Sequence, residues 1–186
     1  MNKRAEIKIE KYPFEEILRS AHETLHIECT GTLFGKRQKD ELYWIIESAH
    51  PIQLAKRTPN QVNSLVCLDR SNWSLYQNYI GGYHSHPVSK IQVEGIKEIL
   101  PARVNLSDED KKEIFGLDYI ELVIAIRKVS HKSILKDNNP FLIGGYIENK
   151  NKIYKFDMGG YYFNKQFKRI RRAEIFVPSK LLRMLR

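Results

Sequence analysis

Apolar residues spaced three and four apart predict an amphipathic helix near the start of the chain, over about 13–25. Pro13 suits the first turn of this helix, where its missing N–H costs nothing. The apolar stripe consists of Phe14, Ile17, Leu18, Ala21 and Leu25. We therefore expect one face of this helix to pack against the core.

Short runs rich in branched and aromatic residues predict β-strands for much of the remaining chain. The predicted strands are 28–35, 41–47, 80–86, 119–126, 141–148 and 152–157. The run 119–126 is the most apolar, which predicts a central strand buried on both faces. A polar hairpin loop is expected at 36–40, and a turn at 149–151.

The polar stretches between these runs give weaker signals. We expect a surface loop at 51–63, a short helix at 71–79 and a short amphipathic element within 88–105. Ser107-x-x-Asp110 has the form of a capping box, so a second helix should begin at Ser107 and end near Gly116. A closing helix is expected beyond Pro178.

Length and composition indicate one soluble globular domain, 1–186. No apolar run approaches the ~20 residues of a membrane span. The N-terminus lacks the apolar core of a secretory signal, so a cytoplasmic protein is the default expectation. Cys29 and Cys67 form no C-x-x-C motif and are expected to be reduced, buried thiols.

The net charge is +9, from 31 Lys and Arg against 22 Asp and Glu. A basic surface favours acidic partners through electrostatic steering. Part of the charge lies in a basic C-terminal segment at about 165–186, which we interpret as a solvated segment. No nucleic-acid-binding motif accompanies it, so a nucleic-acid partner is not expected.

The candidate chemistry centres on His84 and His86. Side chains two apart on a strand point to the same face, so this pair can bind one metal ion. Asp110, at the start of the second predicted helix, would supply a carboxylate as third ligand. Two nitrogens and one oxygen with an open fourth position are the ligand set of a catalytic zinc site.

A second zinc signature competes with the first. His22-Glu23-Thr24-Leu25-His26 matches H-E-x-x-H, in which two histidines one helical turn apart bind zinc and the glutamate activates water. Such a site needs a sustained helix and a third ligand downstream. His22 and His26 flank the apolar stripe, and no suitable downstream ligand is evident. Two partly exposed histidines at a helix end are the simpler interpretation.

With these residues placed, the sequence resembles the JAMM (MPN+, JAB) zinc metalloproteases, particularly the small bacterial deconjugases. Their pattern is a glutamate before a Gly-x-Leu-x-Gly strand, then His-x-His-Pro, then Ser-x-x-Asp. The corresponding segments here are Glu28, 31–35, 84–87 and 107–110, in the same order. The resemblance covers most of the chain. It implies an α/β fold, with a mixed, curved sheet flanked by helices in the three-layer α/β/α arrangement of cytidine deaminases.

The chain departs from the family pattern in two ways. The interval from His86 to Asp110 is longer than usual, so 88–105 resembles an insertion beside the site. This lengthening makes Asp108 a competing ligand, although Asp110 keeps the Ser-x-x-Asp pair. The residues of a second, structural zinc site are not evident, so one zinc ion is expected.

The resemblance implies hydrolysis of a peptide or isopeptide bond after the C-terminal tail of ubiquitin or a ubiquitin-like protein. Glu28 and Ser107 would be the catalytic residues. Glu28 would move the proton of the attacking water and Ser107 would hydrogen-bond the oxyanion. The implied partners are a ubiquitin-like protein or its conjugates, and conjugation enzymes encoded beside the gene, in some cases in antiviral operons. Release of a sulfur-carrier tail is a further possibility within the family.

Three other interpretations remain open. An H-E-x-x-H zincin would use His22, Glu23 and His26. A RadC-like DNA-associated protein shares a related His-x-His-Pro core, and duplex-DNA binding with steep salt dependence would favour it. A non-catalytic MPN scaffold would bind partners without cleaving them, although scaffolds generally lack the ligands that this chain retains.

Overall fold

The computed structural model of the protein describes residues 4–25, 27–38, 42–52, 55–57, 62–64, 78–93, 96–100, 102–133 and 139–185. Most of the helix predicted at 71–79 lies outside these residues. Cys67 and His26 lie outside them as well. Cys29 is a buried, free thiol, as expected.

Twelve strands and three helices are described, and they include most of the predicted elements. The strands are β1 (Glu6–Ile9), β2 (Thr30–Gln38), β3 (Tyr43–Pro51), β4 (Ala55–Arg57), β5 (Val62–Ser64), β6 (Tyr79–Pro87), β7 (Ser89–Val93), β8 (Ile96–Leu100), β9 (Ile120–Val129), β10 (Ile143–Asn149), β11 (Lys152–Asn164) and β12 (Arg169–Phe176). The helices are α1 (Lys11–Glu23), α2 (Asp108–Ile114) and α3 (Ser179–Met184). Among the described helices, none is long and apolar enough to cross a membrane.

The main sheet closes on itself. Its strand order is β10-β11-β12-β1-β3-β2-β6-β9, and β9 pairs again with β11. The long strand β11 allows this closure because both of its edges are used. One edge pairs with β9 and the other pairs first with β10 and then with β12. Seven strands therefore form a closed barrel, with β10 attached outside the ring.

The three-layer α/β/α fold class expected from the resemblance is wrong. The protein is mostly β, and its main sheet is a closed barrel with few helices. A three-layer sandwich needs an open sheet with helices covering both faces. Pairing of β11 with β9 closes a ring of seven strands, and the three helices of the described residues are too few and too short to form two layers.

Helix α1 packs against the core of the closed sheet with the predicted apolar stripe. Phe14, Ile17, Leu18 and Ala21 are buried in one cluster with residues of several strands. The Phe14 ring lies 6.2 Å from the Phe156 ring of β11. The helix runs from Lys11 to Glu23, two residues earlier than predicted at each end, so Leu25 lies beyond it.

Helix α2 covers a separate, smaller apolar cluster. Ile114 of α2 packs with Leu106, with Val123 of β9 and with Tyr161 of β11, and Ile170 lies at the margin. Ile120, Leu122, Ile124 and Ile126 of β9 belong instead to the main core. Since neighbouring residues of a strand face opposite sides, α2 and the main core lie on opposite faces of β9.

Several local predictions need correction. The segment 51–63 is not simply a loop, because β4 and β5 pair there as a small hairpin. The amphipathic element expected within 88–105 is another hairpin, β7–β8. The basic segment 165–186 is not a solvated tail. It contains β12, which is a strand of the barrel and pairs with β11 and with β1. The backbone hydrogen bonds and the buried residues of β12 hold this part of the segment in the barrel.

Candidate metal centre

Strand β6 presents His84 and His86 on one face. The strand is paired on both sides, antiparallel to β2 and parallel to β9. Gly81, at its beginning, has a φ of 154°, and a side chain there would collide with the backbone of Ile120. Strands held along both edges move little, so the two imidazoles project from a rigid support.

Helix α2 brings Asp110 to the same place. Ser107 caps the helix: its hydroxyl accepts from the Asp110 N–H at 3.1 Å, and the Asp110 carboxylate accepts from the Ser107 N–H at 2.7 Å. The predicted capping box is present. The box fixes the carboxylate of Asp110 while leaving lone pairs for another partner. Asp108 points elsewhere, with its side chain 81% exposed and paired with Lys111.

Three potential ligand atoms converge. Nε2 of His84 lies 3.1 Å from Nε2 of His86, and Oδ2 of Asp110 lies 3.5 and 3.6 Å from these two nitrogens. Ligands about 2.0–2.1 Å from a tetrahedral zinc ion are separated from each other by about 3.3 Å. The observed triangle has nearly this size, so His84, His86 and Asp110 could hold a metal ion.

The opposite nitrogens of both imidazoles have hydrogen-bond partners. Nδ1 of His84 donates to the carboxylate of Glu121 at 2.8 Å, and Nδ1 of His86 donates to the backbone carbonyl of Arg103 at 2.9 Å. A carboxylate and a carbonyl only accept, so this geometry assigns the proton to Nδ1 in each ring. When the rings are neutral, both Nε2 atoms direct lone pairs toward Asp110. Three acceptors this close repel unless a proton or a metal cation lies between them.

The electrostatics of the cluster follow from these contacts. Burial lowers the pKa of His84, but the hydrogen bonds and charges of Asp110 and Glu121 outweigh burial and raise that pKa to about 10. Burial raises the pKa of the Asp110 carboxyl, but His84, His86 and the Ser107 N–H hold that pKa far below its ordinary value. The site therefore favours positive charge at its centre.

Glu28 lies beside this cluster. Thr30 of β2 is opposite His84, and the Ser85 N–H bonds the Cys29 carbonyl at 3.0 Å, which extends the pairing by one residue. Continuing the register places Glu28 opposite His86 and on the same face. Glu28 is only 9% exposed. Burial, opposed in part by the two histidines, raises the pKa of its carboxyl to about 6.

The competing H-E-x-x-H motif is arranged differently. Helix α1 ends at Glu23, so the motif is not contained in one helix. His22 packs edge-on against Tyr154 at 4.8 Å, and its Nε2 is buried with no hydrogen-bond partner in the described structure. Within the described ranges, the cluster of His84, His86 and Asp110 is the one group of three possible metal ligands.

The sequence interpretation missed Glu121 and Arg103. Glu121 occurs in the most apolar strand of the chain, and it is 2% exposed. A carboxylate within an apolar run needs a polar partner, and this was an available signal. Arg103 contributes a backbone carbonyl, so its side-chain identity carried no signal.

Comparisons with known proteins inform the fold alone. No protein-family model matches the chain, and no curated protein matches it. The solution structure of a structural-genomics protein from Desulfitobacterium hafniense is similar, with a TM-score of 0.52 and 21% sequence identity over 92% of each chain. At this level of identity, the similarity concerns fold and does not extend to activity.

Proposed function

We propose that the protein is a zinc-dependent peptidase that cleaves after the C-terminal tail of ubiquitin or a ubiquitin-like protein. The observation that best supports this proposal is the convergence of His84, His86 and Asp110 beside the buried carboxylate of Glu28. A structural zinc site would use four protein ligands, whereas three with an open position are typical of catalytic sites. The substrate class rests on the resemblance of the motifs.

The ligand set suits zinc. The two imidazole nitrogens are borderline donors that suit zinc, and a carboxylate oxygen is also a common zinc ligand. Mg²⁺ and Ca²⁺ prefer oxygen ligands throughout. Bound zinc would lower the pKa of a water molecule toward ~7 and polarise the scissile carbonyl. Glu121 and the Arg103 carbonyl would keep the two imidazoles correctly oriented, as orienting partners do in other zinc sites.

Glu28 is the candidate general base. A carboxyl with a pKa of about 6 is largely ionised at neutral pH, yet it is more basic than an ordinary glutamate. Its carboxylate would take the proton of the attacking water and then deliver it to the leaving amine. Burial supplies the higher basicity, and the two histidines oppose it only in part.

Ser107 is the candidate oxyanion donor. Its Oγ accepts from the Asp110 N–H, and a hydroxyl that accepts one bond can still donate its own proton. The side chain is exposed at the start of α2. Its O–H could therefore donate to the oxygen of a substrate carbonyl as negative charge develops there.

Substitution of two glutamates tests this proposal. We expect Glu28→Gln to abolish zinc-dependent release of a fluorogenic amide from the C-terminus of ubiquitin and of bacterial ubiquitin-like proteins, while zinc content stays at one per chain. The matched control Glu23→Gln, in the competing motif, should leave release unchanged. Loss of activity in the control with retention in Glu28→Gln would contradict the proposal. Failure of zinc-loaded protein to cleave any of these substrates would also contradict the proposal.

The β7–β8 hairpin is the candidate wall of the substrate groove. It begins three residues after His86, and the chain that follows it leads to Ser107. An extended tail would pair most naturally with an exposed strand edge near the metal. Replacing 89–100 by a Gly-Ser linker should impair cleavage of folded conjugates more than metal binding. Loss of the metal in this variant would refute the role of the hairpin as a groove wall.

A further inference from the structure

The turn between β11 and β12 is a basic tip with a defined hydrogen-bonded geometry. Asn164 is buried, and its side-chain oxygen accepts from the Phe167 N–H at 3.0 Å. Lys168 has a φ of 48°, which completes the tight turn. These contacts hold Phe167 at the end of the hairpin, where it is 42% exposed. A single exposed phenylalanine is ordinary on a protein surface, so its significance depends on its neighbours.

Two arginines stack on this phenylalanine. The guanidinium carbons of Arg169 and Arg171 lie 5.4 and 4.5 Å from the centre of the Phe167 ring. The two residues are separated by one position on β12, so both side chains leave the same face of the strand, from Cα atoms about 7 Å apart. Cation–π contacts restrict both guanidinium groups, which reduces the entropy lost when they bind a partner.

These two charges are not neutralised by any described carboxylate. Neither Arg169 nor Arg171 has an acidic side chain within 4.0 Å among the residues that the structure describes. The nearby Asp118 bonds Lys165 at 3.1 Å and also pairs with Arg37. Asp118 is therefore already paired with other cations, and it does not offset the charges of Arg169 and Arg171.

We propose that the tip formed by Phe167, Lys168, Arg169 and Arg171, here called the basic tip, binds an acidic protein segment that presents two carboxylates about 7 Å apart. Each guanidinium can form a bidentate pair with one carboxylate. Alternate residues of an extended segment have this separation. The exposed edge of Phe167 would contact the apolar stems of the same segment.

The geometry favours a protein over a nucleic acid. Single-stranded nucleic acids stack bases on open aromatic faces, but guanidinium groups already lie against the ring of Phe167. An acidic protein segment needs no open ring face, because its carboxylates pair with the guanidinium groups themselves.

The basic tip is distinct from the metal centre. Tyr162, near the tip, pairs with Ile120, which pairs with Gly81 at the beginning of β6. His86 lies five positions further along that strand, about 16 Å away by strand rise. Binding at the tip can therefore be measured whether or not the protein is a peptidase.

The test measures fluorescence anisotropy of a labelled peptide with glutamate at alternate positions, using the full chain. A peptide with glutamine at those positions reports binding without charge. We expect Arg169→Gln with Arg171→Gln to weaken binding at least about tenfold. The matched control, Lys150→Gln with Lys152→Gln, removes two charges from the exposed β10–β11 turn and should change binding less than about twofold.

A third variant separates orientation from charge. Phe167→Ala keeps every charge but removes the ring, so we expect binding to weaken about threefold. Thermal unfolding verifies that each variant is folded. If both double variants lost the same affinity for the peptide, or if Phe167→Ala lost none, net charge alone would explain binding. Either result would overturn the proposal. Tighter binding of oligothymidylate than of the acidic peptide, with the same dependence on the arginines, would overturn it in favour of a nucleic-acid site.

Discussion

The two histidine pairs of this chain have equally suggestive sequences but very different surroundings. His84 and His86 project from a strand paired on both sides, and each ring is oriented by a second hydrogen bond. In the other motif, α1 ends at Glu23, and His22 packs against Tyr154. A metal site therefore depends on a rigid support and on orienting partners. The residue types of a sequence motif show neither of these.

The first prediction, with the largest expected effect, removes a ligand from one pair and the matching residue from the other. His84→Ala should lower zinc affinity by more than the 10–100-fold that is typical of losing an orienting partner. His22→Ala should leave zinc affinity unchanged. Competition titration with a chromophoric chelator measures both affinities. Equal losses of zinc affinity in the two variants would show that the two histidine pairs do not differ in zinc binding.

The second prediction separates the two roles of Ser107. A glycine at the cap position costs a helix only a few tenths of a kcal/mol, whereas alanine costs about 1 kcal/mol. Neither residue can donate to an oxyanion. We therefore expect Ser107→Gly and Ser107→Ala to lose about 10²–10³-fold in kcat, although their thermal stabilities differ. If kcat instead followed stability across the two variants, capping alone would explain Ser107.

The third prediction concerns the orienting partner of His84. Glu121→Gln replaces the ionised acceptor with a neutral amide of the same shape, so zinc affinity should fall about 10–100-fold. Absorption spectra of the cobalt-substituted protein should also change, because the imidazole is less firmly held. Glu148→Gln, on the exposed end of β10, is the control. An unaltered cobalt spectrum in Glu121→Gln would contradict an orienting role.

The fourth prediction is a pH dependence. Burial lowers the pKa of His84, but Asp110 and Glu121 raise it from 6.5 to about 10, so a metal must displace a proton from this ring. Zinc affinity should rise about tenfold per pH unit below pH 10. Stability of the protein without zinc should show the reverse dependence. The contribution of protonated His84 is complete below pH 6.5 and is lost as pH rises through about 10.

Calorimetry in buffers of different ionisation enthalpy measures this linkage. About one proton should be released per zinc ion near neutral pH. Release of no proton would show that His84 is already neutral before zinc binds. In that case, the charges of Asp110 and Glu121 would not control the affinity as described.

Local signals in the sequence identified the elements that carry the candidate ligands. His84, His86 and Asp110 could be grouped because strand period and capping chemistry are local properties. Ser107 could be placed at a helix start for the same reason, and the structure shows that capping box. Glu121 could not be assigned a partner, because its bond to His84 joins residues 37 positions apart.

The closed sheet could not be inferred from local patterns. Strand β1 has four residues, too few to show a clear alternation, and β12 begins with a run of arginines that masks its buried end. Closure depends on β11 pairing along both edges. Edge pairing is decided by residues distant in sequence, so an open, helix-covered sheet was predicted in place of a closed one.

Anomalous diffraction at the zinc absorption edge, from crystals grown with zinc, locates the metal ion itself. We expect a single strong peak about 2.0–2.1 Å from Nε2 of His84, Nε2 of His86 and a carboxylate oxygen of Asp110. A peak on His22 and His26, or no peak near β6 in protein that binds zinc in solution, would contradict it.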